Sequence, residues 1–410
     1  PQGRAERIWI LGTTAGNQTV TASVSGVSIS KTINALARTS CGFSSSQAFH
    51  AFPPRDTLRF QPTTRTVRVA VLFIDFPDLA GTRTVAQMMS DIVNPAAAML
   101  SGTTYGKLQL QLVATSGWMR MPESANDLRW TDGKMTHLDY INTVIARHDG
   151  VFDFSTIDVV WIFRSSRFDP QISSGTATFF KGSNVIPPRD GREMKSFVTF
   201  GSDVHLMNVY TYWPVYGRNV VAHEMGHVYG LPDLYAYQSA PGENGLRFSG
   251  GWSFMGWVAP ATSWTAAERL YVGALTDNDL LCPPSEPFTA QVTMTQIAMT
   301  TGVRAIGLRS TATRMTFIES RIAVLQDANA CQLGVLVYDV NGAETLGNGP
   351  IRVREIRPSA AGAQMDECGV KWNAPARSGD VFELGDPNVE VQILSIIAPT
   401  GEARIKITRR

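Results

Sequence analysis

A chain of 410 residues is too long for one ordinary domain, so two or three are expected. Hydrophobic residues make up 44% and charged ones 17%, which is enough apolar matter for sizeable cores and below the usual ~25% charge. The net charge of +1, the absence of any run of five basic residues and the absence of ~18–20 consecutive apolar residues exclude nucleic acid, an anionic membrane surface and a membrane span as expected partners. The chain opens at Pro1 with no initiator Met and no charged-then-apolar leader, which reads as a processed or trimmed product. Cys41, Cys282, Cys331 and Cys368 form no CxxC pair, which argues against a thiolate zinc site. Their even number in a weakly charged chain predicts two disulfides and an oxidising, extracellular or cell-surface compartment, with three pairings open and four buried thiols as the alternative.

Residues 7–35, RIWILGTTAGNQTVTASVSGVSISKTINA, alternate apolar and polar positions around glycine turns and predict β-strands. The stretch resembles the closing hairpin of a bacterial Ig-like domain, so residues 1–40 are taken as the end of such a domain. About 35 residues bury no core alone, so this piece has to dock on the rest of the chain or belong to something longer. Residues 41–65, with Pro53, Pro54 and Pro62, read as a connector.

VRVAVLFIDFPD (Val67–Asp78) is an apolar run bounded by Pro and Asp, the signature of a strand buried on both faces. VAQMMSDIVNPAAAML (Val85–Leu100) has helical spacing with a proline interruption. YGKLQLQLVATSGWMRM alternates, and IDVVWIF (Ile157–Phe163) is a second buried strand. This alternation of strands and helices predicts an α/β layer structure over residues 66–278. After Cys282 the texture changes. FTAQVTMTQIAM, VRAIGLRS, RMTFIESRIAVL, LGVLVYDV, IRVREI, DVFELG and EVQILSIIA are short β-type runs separated by Gly, Pro and Asn, so residues 279–410 predict an all-β, sandwich-like module.

The chemistry concentrates in AHEMGHVYGLPDLY (Ala222–Tyr235). Val220, Val221, Met225 and Val228 supply apolar positions at helical spacing, and Gly230 is a natural stop because it accepts positive φ. On a helix His223 and His227 lie one turn apart on one face, close enough for two imidazoles to reach one ion at ~2.0–2.1 Å. Glu224, turned by about 100°, can stand beside that ion without binding it and take a proton from water. A catalytic zinc needs three protein ligands and an open position, and Asp233, beyond the Gly230–Leu231–Pro232 turn, supplies the third. H-E-x-x-H alone arises by chance in roughly one chain in a hundred of this length; adding the glycine and the terminal aspartate lowers that to a few in a hundred thousand. Glu268 in TAAERL is a fallback third ligand, and Cys41 a thiol able to cap the metal, although pairing into a disulfide is the stronger expectation for it. GGWSFMGW (Gly250–Trp257) offers Met255 as an apolar floor beneath the ligands.

With these residues in view the chain resembles the immune inhibitor A-like metallopeptidases, secreted zinc enzymes related to the metzincins. Their helix commonly reads HE-x-GH-x-x-GLPDLYD, their methionine segment W-D/S-x-M-G, and their early strand V-x-x-V-DFPD; TTYGKLQL and TFIESR…LGVLVYDVN match further segments. The likeness covers about residues 66–340. It implies a metzincin-like catalytic domain with an active-site helix and a methionine turn, one Zn²⁺ on His223, His227 and Asp233, and Glu224 as general base. It also implies structural Ca²⁺, for which Asp75, Asp78, Asp153 and Asp158 are weak candidates. Trp257 stands where some metzincins place an oxyanion-steadying tyrosine, which leaves Tyr235 and His205 as candidate donors.

The resulting expectation is a secreted, monomeric zinc endopeptidase acting on protein or glycoprotein substrates. A surface adhesion or glycan-binding module on an inactive protease fold, and a zinc amidase acting on cell-wall amides, are the alternatives. Intact Glu224 argues against the first of these.

Overall fold

The computed structural model describes residues 16–24, 26–35, 39–42, 52, 56, 59–130, 134–165, 176–179, 186–200, 216–241, 243–258, 262–328, 330, 332–357, 371, 373–385 and 388–410. Four sheets and a few helices make it a mixed α/β protein. The first sheet is a two-stranded hairpin of β1 (Gly16–Val24) and β2 (Val27–Ala35) with antiparallel register from Gly16↔Ala35 to Val24↔Val27. Val27 and Ile29 on it are exposed.

The second sheet carries the α/β layer. Its strands are β3 (Thr66–Asp75), β4 (Gln109–Ala114), β5 (Met119–Arg120), β6 (Val159–Arg164), β7 (Thr176–Phe179) and β8 (Ser196–Phe200). They lie in the order β4-β3-β6-β8-β7, with β5 also pairing β3; all pairs are parallel except β7 with β8. A parallel sheet needs both faces covered, and the apolar runs show how. Val67, Val69, Val71 and Phe73 of β3, with Val159, Trp161 and Phe163 of β6, enter one core. Ala70, Leu72 and Ile74, with Val160 and Ile162, enter another on the opposite face. Each large side chain so buried contributes about 1.5–3 kcal/mol, which is why the continuous apolar run was readable as a strand.

The second of these cores is closed by α3 (His137–His148), whose Thr136 cap accepts from the Asp139 backbone N–H. The first is closed in part by the helix expected over Val85–Leu100. That helix runs as α1 (Val85–Met88), a wider π turn (Met89–Val93) and α2 (Asn94–Thr103). The proline does not end it. Pro95 follows directly on the π turn, where Asn94 N–H still donates five residues back to Met89 O, so the helix passes through the proline with a local change in winding. A further helix, α4 (Tyr216–Val228), enters the same core through Val220, Val221, Met225 and Val228.

The C-terminal part holds two more sheets. One orders β14 (Ile351–Val353), β13 (Gly334–Asn341), β12 (Arg314–Arg321), β11 (Ala305–Arg309) and β9 (Leu280–Leu281); the other orders β10 (Phe288–Met294), β17 (Glu402–Arg409), β16 (Val389–Ile397) and β15 (Val381–Leu384). β17 is additional to the runs expected above, although it alternates regularly, with Ala403, Ile405 and Ile407 buried between Glu402, Arg404, Lys406 and Thr408. Ile306, Leu308, Ile318, Val335 and Val337 face Val391, Ile393, Ile405 and Ile407 in a shared core between these two sheets. The opposite face of the five-stranded sheet, with Ala305, Met315, Phe317, Leu336, Tyr338 and Val340, joins the first α/β core. Apolar packing is therefore continuous across residue 279.

The connector is packed as well. Cys41 is disulfide-bonded to Cys282, and the Thr39 and Cys41 backbone N–H groups donate to Cys282 O and Asp277 Oδ1. Cys41 is therefore not a thiol available to a metal. Cys331 and Cys368 lie outside the described residues. Phe52 stacks edge-on against Tyr271, and Gln61 N–H donates to Val228 O.

At the junction of the two halves lies a buried charge network. Arg321, fully buried on β12, donates from Nε to Glu319 Oε1 (2.7 Å) and from Nη1 to Asp327 Oδ1 (2.8 Å). Glu319 Oε2 accepts from the Ala266 backbone N–H and from Tyr338 Oη, and Asp327 Oδ1 accepts from the Ser263 N–H and hydroxyl. The network thus holds the start of α5 (Ala266–Tyr271) to the five-stranded sheet. Removing one partner of such a group strands the others as uncompensated buried charges. Arg321→Ala is expected to lower the unfolding free energy by about 3–5 kcal/mol in urea denaturation, against under ~1 kcal/mol for alanine at the exposed Arg410.

Candidate metal centre

The sequence AHEMGHVYGLPDLY forms the end of α4 and the turn after it. Val220, Val221, Ala222, Met225 and Val228 are buried, so the helix is enclosed on most sides. Its end is a Schellman motif. Gly230 has φ +93°, its N–H donates to His227 O (2.8 Å), and Leu231 N–H donates to Gly226 O (3.0 Å). A Cβ at Gly230 would press on the Phe60 ring at 3.1 Å, a second reason for glycine there. The reversal carries Asp233 back to the histidine face.

Three ligand atoms then converge. Asp233 Oδ1 lies 3.1 Å from His223 Nε2 and 3.2 Å from His227 Nε2, and the two rings stand nearly perpendicular, at 89°. His223, His227 and Asp233 are the only such group of His, Cys, Asp or Glu among the described residues. Each Nδ1 is engaged by a carbonyl: His223 Nδ1 with Phe254 O at 2.7 Å and His227 Nδ1 with Leu231 O at 2.8 Å. A carbonyl only accepts, so both Nδ1 atoms hold the proton and, in the neutral rings, both Nε2 lone pairs point inward. Asp233 Oδ1 is buried and accepts no hydrogen bond among the described groups. Two lone pairs and a carboxylate oxygen crowded together repel one another unless a cation sits among them. Ligands at zinc's ~2.0–2.1 Å in a tetrahedron are roughly 3.3 Å apart, close to the two separations from Asp233, and all three atoms lie within 4.8 Å of one another, so one ion can be reached by all three.

The Asp233 carboxylate also favours a proton on His227 Nε2, the position a metal would contest. Burial works to lower the His227 pKa, but Asp233 beside it and Glu224 nearby outweigh burial and raise it to about 9. Burial also works to raise the Asp233 pKa, and the two imidazoles overcome it and hold the carboxyl far below its usual range. Asp233 Oδ2 accepts from Tyr237 Oη at 2.9 Å.

Glu224 and His223 line a cavity of about 320 Å³ with Val220, Tyr235, Leu246 and Trp257. Glu224 itself is buried. Tyr235 lies parallel to the His223 ring with centroids 6.3 Å apart; burial, then the Asp233 charge, raise its pKa, so it keeps its proton. His205 lies outside the described residues.

Met255, fully buried, packs beneath α4 at Gly226, where any Cβ would overlap its sulfur. The turn around it is tied to both ligand segments. Phe254 O accepts from His223, Met255 O accepts from Leu234 N–H (3.0 Å), and Ser253 Oγ accepts from Met255 N–H (3.1 Å).

Glu268 is not a ligand. Its carboxylate caps α5, accepting from Thr265 N–H (2.8 Å) and engaging Ser253 Oγ (2.8 Å). Asp75 pairs with Arg120, Asp78 accepts from Ala125 N–H, Asp153 accepts from Ser155 N–H, and Asp158 pairs with Arg65 and Arg192. These calcium candidates do not gather into one group among the described residues. Tyr237 was not foreseen from sequence. It follows Asp233 by four residues outside any helix, and no periodicity marks it.

Compared with models of protein families and with curated proteins, the sequence matched none.

Two outcomes are expected from the packing beneath the site. Gly226→Ala should drive Met255 aside, lowering stability by about 1–3 kcal/mol in thermal or urea unfolding, whereas Met255→Leu should cost under ~1.5 kcal/mol. Burial raises Glu268 from 4.5 to about 7 against the pull of its hydrogen bonds and of Arg321. The folded state then binds a proton that the unfolded state has released. Stability from this group is full below about 4.5 and is lost as the pH rises through about 7. Glu268→Gln keeps the cap, and the slope of unfolding free energy against pH in that window should flatten.

Proposed function

We propose that the chain is a secreted zinc-dependent endopeptidase of the immune inhibitor A-like, metzincin-related kind. The convergence of two Nε2 lone pairs on the orphaned Asp233 oxygen, with Glu224 beside it on an open cavity, is the observation that carries this reading. His223, His227 and Asp233 would hold one catalytic Zn²⁺, which would supply Lewis-acid polarisation of a carbonyl and a bound water of pKa near ~7. Glu224 accepts the proton of the attacking water and returns it to the departing amine as the C–N bond breaks, so one water is consumed and a carboxylic acid and an amine are released. Tyr235, protonated on the cavity wall, donates to the developing oxyanion. The Met255 segment serves as the methionine turn beneath the ligands, residues 66–278 as the catalytic domain and residues 279–410 as its β-module.

The substrates are extracellular proteins or glycoproteins, and the Cys41–Cys282 bridge supports an oxidising location. No helix among the described residues is long and apolar enough to cross a membrane.

The decisive variant is Glu224→Gln. Zinc content should remain near one per chain by atomic absorption, while cleavage of casein or mucin falls by roughly 10²–10⁴-fold. A chelator should abolish cleavage by the wild type, and added zinc should restore it. Cleavage that survives Glu224→Gln would sink the assigned base.

A further inference from the structure

Asp233 has two oxygens in unlike surroundings. Oδ1 faces the two Nε2 atoms and has no hydrogen bond, whereas Oδ2 accepts from Tyr237 Oη at 2.9 Å. Tyr237 is itself held from the far half of the chain. Its backbone N–H donates to Gly347 O at 3.2 Å, in the loop between β13 and β14. Gly347 has φ +78°, and any Cβ there would run into the Tyr237 ring. The same loop is anchored a few residues away. The guanidinium groups of Arg247 and Arg352 each lie 4.6 Å from the Phe248 ring centroid, and Val353 N–H donates to Phe248 O at 2.9 Å.

We propose that Tyr237 is a positioning residue for the metal: it occupies Oδ2 so that Asp233 binds through Oδ1 alone, and the β13–β14 loop of the C-terminal sheet holds it there. This inference rests on the zinc reading above. A carboxylate with both oxygens free rotates and chelates a metal through two atoms, which adds a ligand and closes a coordination position. One engaged by a hydroxyl keeps a single oxygen forward, and partners of this type are worth about 10–100-fold in metal affinity. The loop thereby makes the β-module part of the metal site without contributing a ligand.

The test uses the full chain and zinc alone. Tyr237→Phe removes only the hydroxyl of a half-exposed side chain, so the metal-free protein should melt as the wild type does. Competition with a chromogenic chelator should show zinc affinity weaker by about 10–100-fold. The visible spectrum of the Co²⁺-substituted variant should show weaker d–d absorption, as the carboxylate adds its second oxygen. Gly347→Ala, which keeps the hydroxyl but displaces the ring, should shift both readouts in the same direction. A wild type that binds zinc while both variants bind it equally tightly, with unchanged Co²⁺ spectra, overturns the role of Tyr237 and its loop and leaves the metal site standing. A wild type that binds no zinc overturns the metal reading, and this inference with it.

Discussion

Arg321 is a permanent cation with no access to water. Everything near it is arranged to satisfy it. Glu319 and Asp327 neutralise it, and the carbonyls of Trp252, Ser263 and Trp264 accept its remaining protons. These carbonyls flank Met255 and the start of α5, so the demand of one guanidinium constrains the backbone that packs beneath His223 and His227. Buried ion pairs seldom add net stability, but they are costly to break, and they therefore permit few alternative packings. Here that selectivity falls on the junction between the five-stranded sheet and the α/β layer.

From that junction the order passes outward in short steps. Ser253 Oγ accepts from the Met255 N–H, and Met255 fills the space left by the missing side chain of Gly226. Phe254 O sets the tautomer of His223, and Leu231 O sets that of His227. The helix end is itself part of the site, because the Schellman motif that terminates α4 presents Leu231 O to His227 and delivers Asp233. The glycines in HEMGHVYG thus serve close approach and positive φ, not flexibility.

The readable parts of the fold were those in which one local pattern coincided with one environment. Val69–Ile74 and Val159–Phe163 are apolar without interruption because both faces of a parallel sheet are covered, and they lie adjacent as β3 and β6. The runs after Cys282 became strands for the same kind of reason. The proline at position 95 misled because its effect depends on what precedes it, and a π turn removes the conflict. The connector looked like a spacer by composition, yet Phe52, Phe60 and the Cys41–Cys282 bridge pack it against the body. Glu268 looked available as a ligand only while its capping partners, Thr265 and Ser253, were out of view.

Residue type and spacing alone determined that two histidines share a helix face, that Glu224 stands off it, and that a glycine turn brings an aspartate within reach. Helix geometry has a fixed period and positive φ belongs to glycine, so those statements needed no partner from elsewhere in the chain. Tertiary structure decided the rest: which nitrogen of His223 faces the centre, what holds the backbone of Tyr237, and which sulfur fills the space at Gly226. Those choices depend on the Phe254 carbonyl, on a loop more than 100 residues from Tyr237 and on Met255, and no local period encodes a contact between segments that meet only on folding.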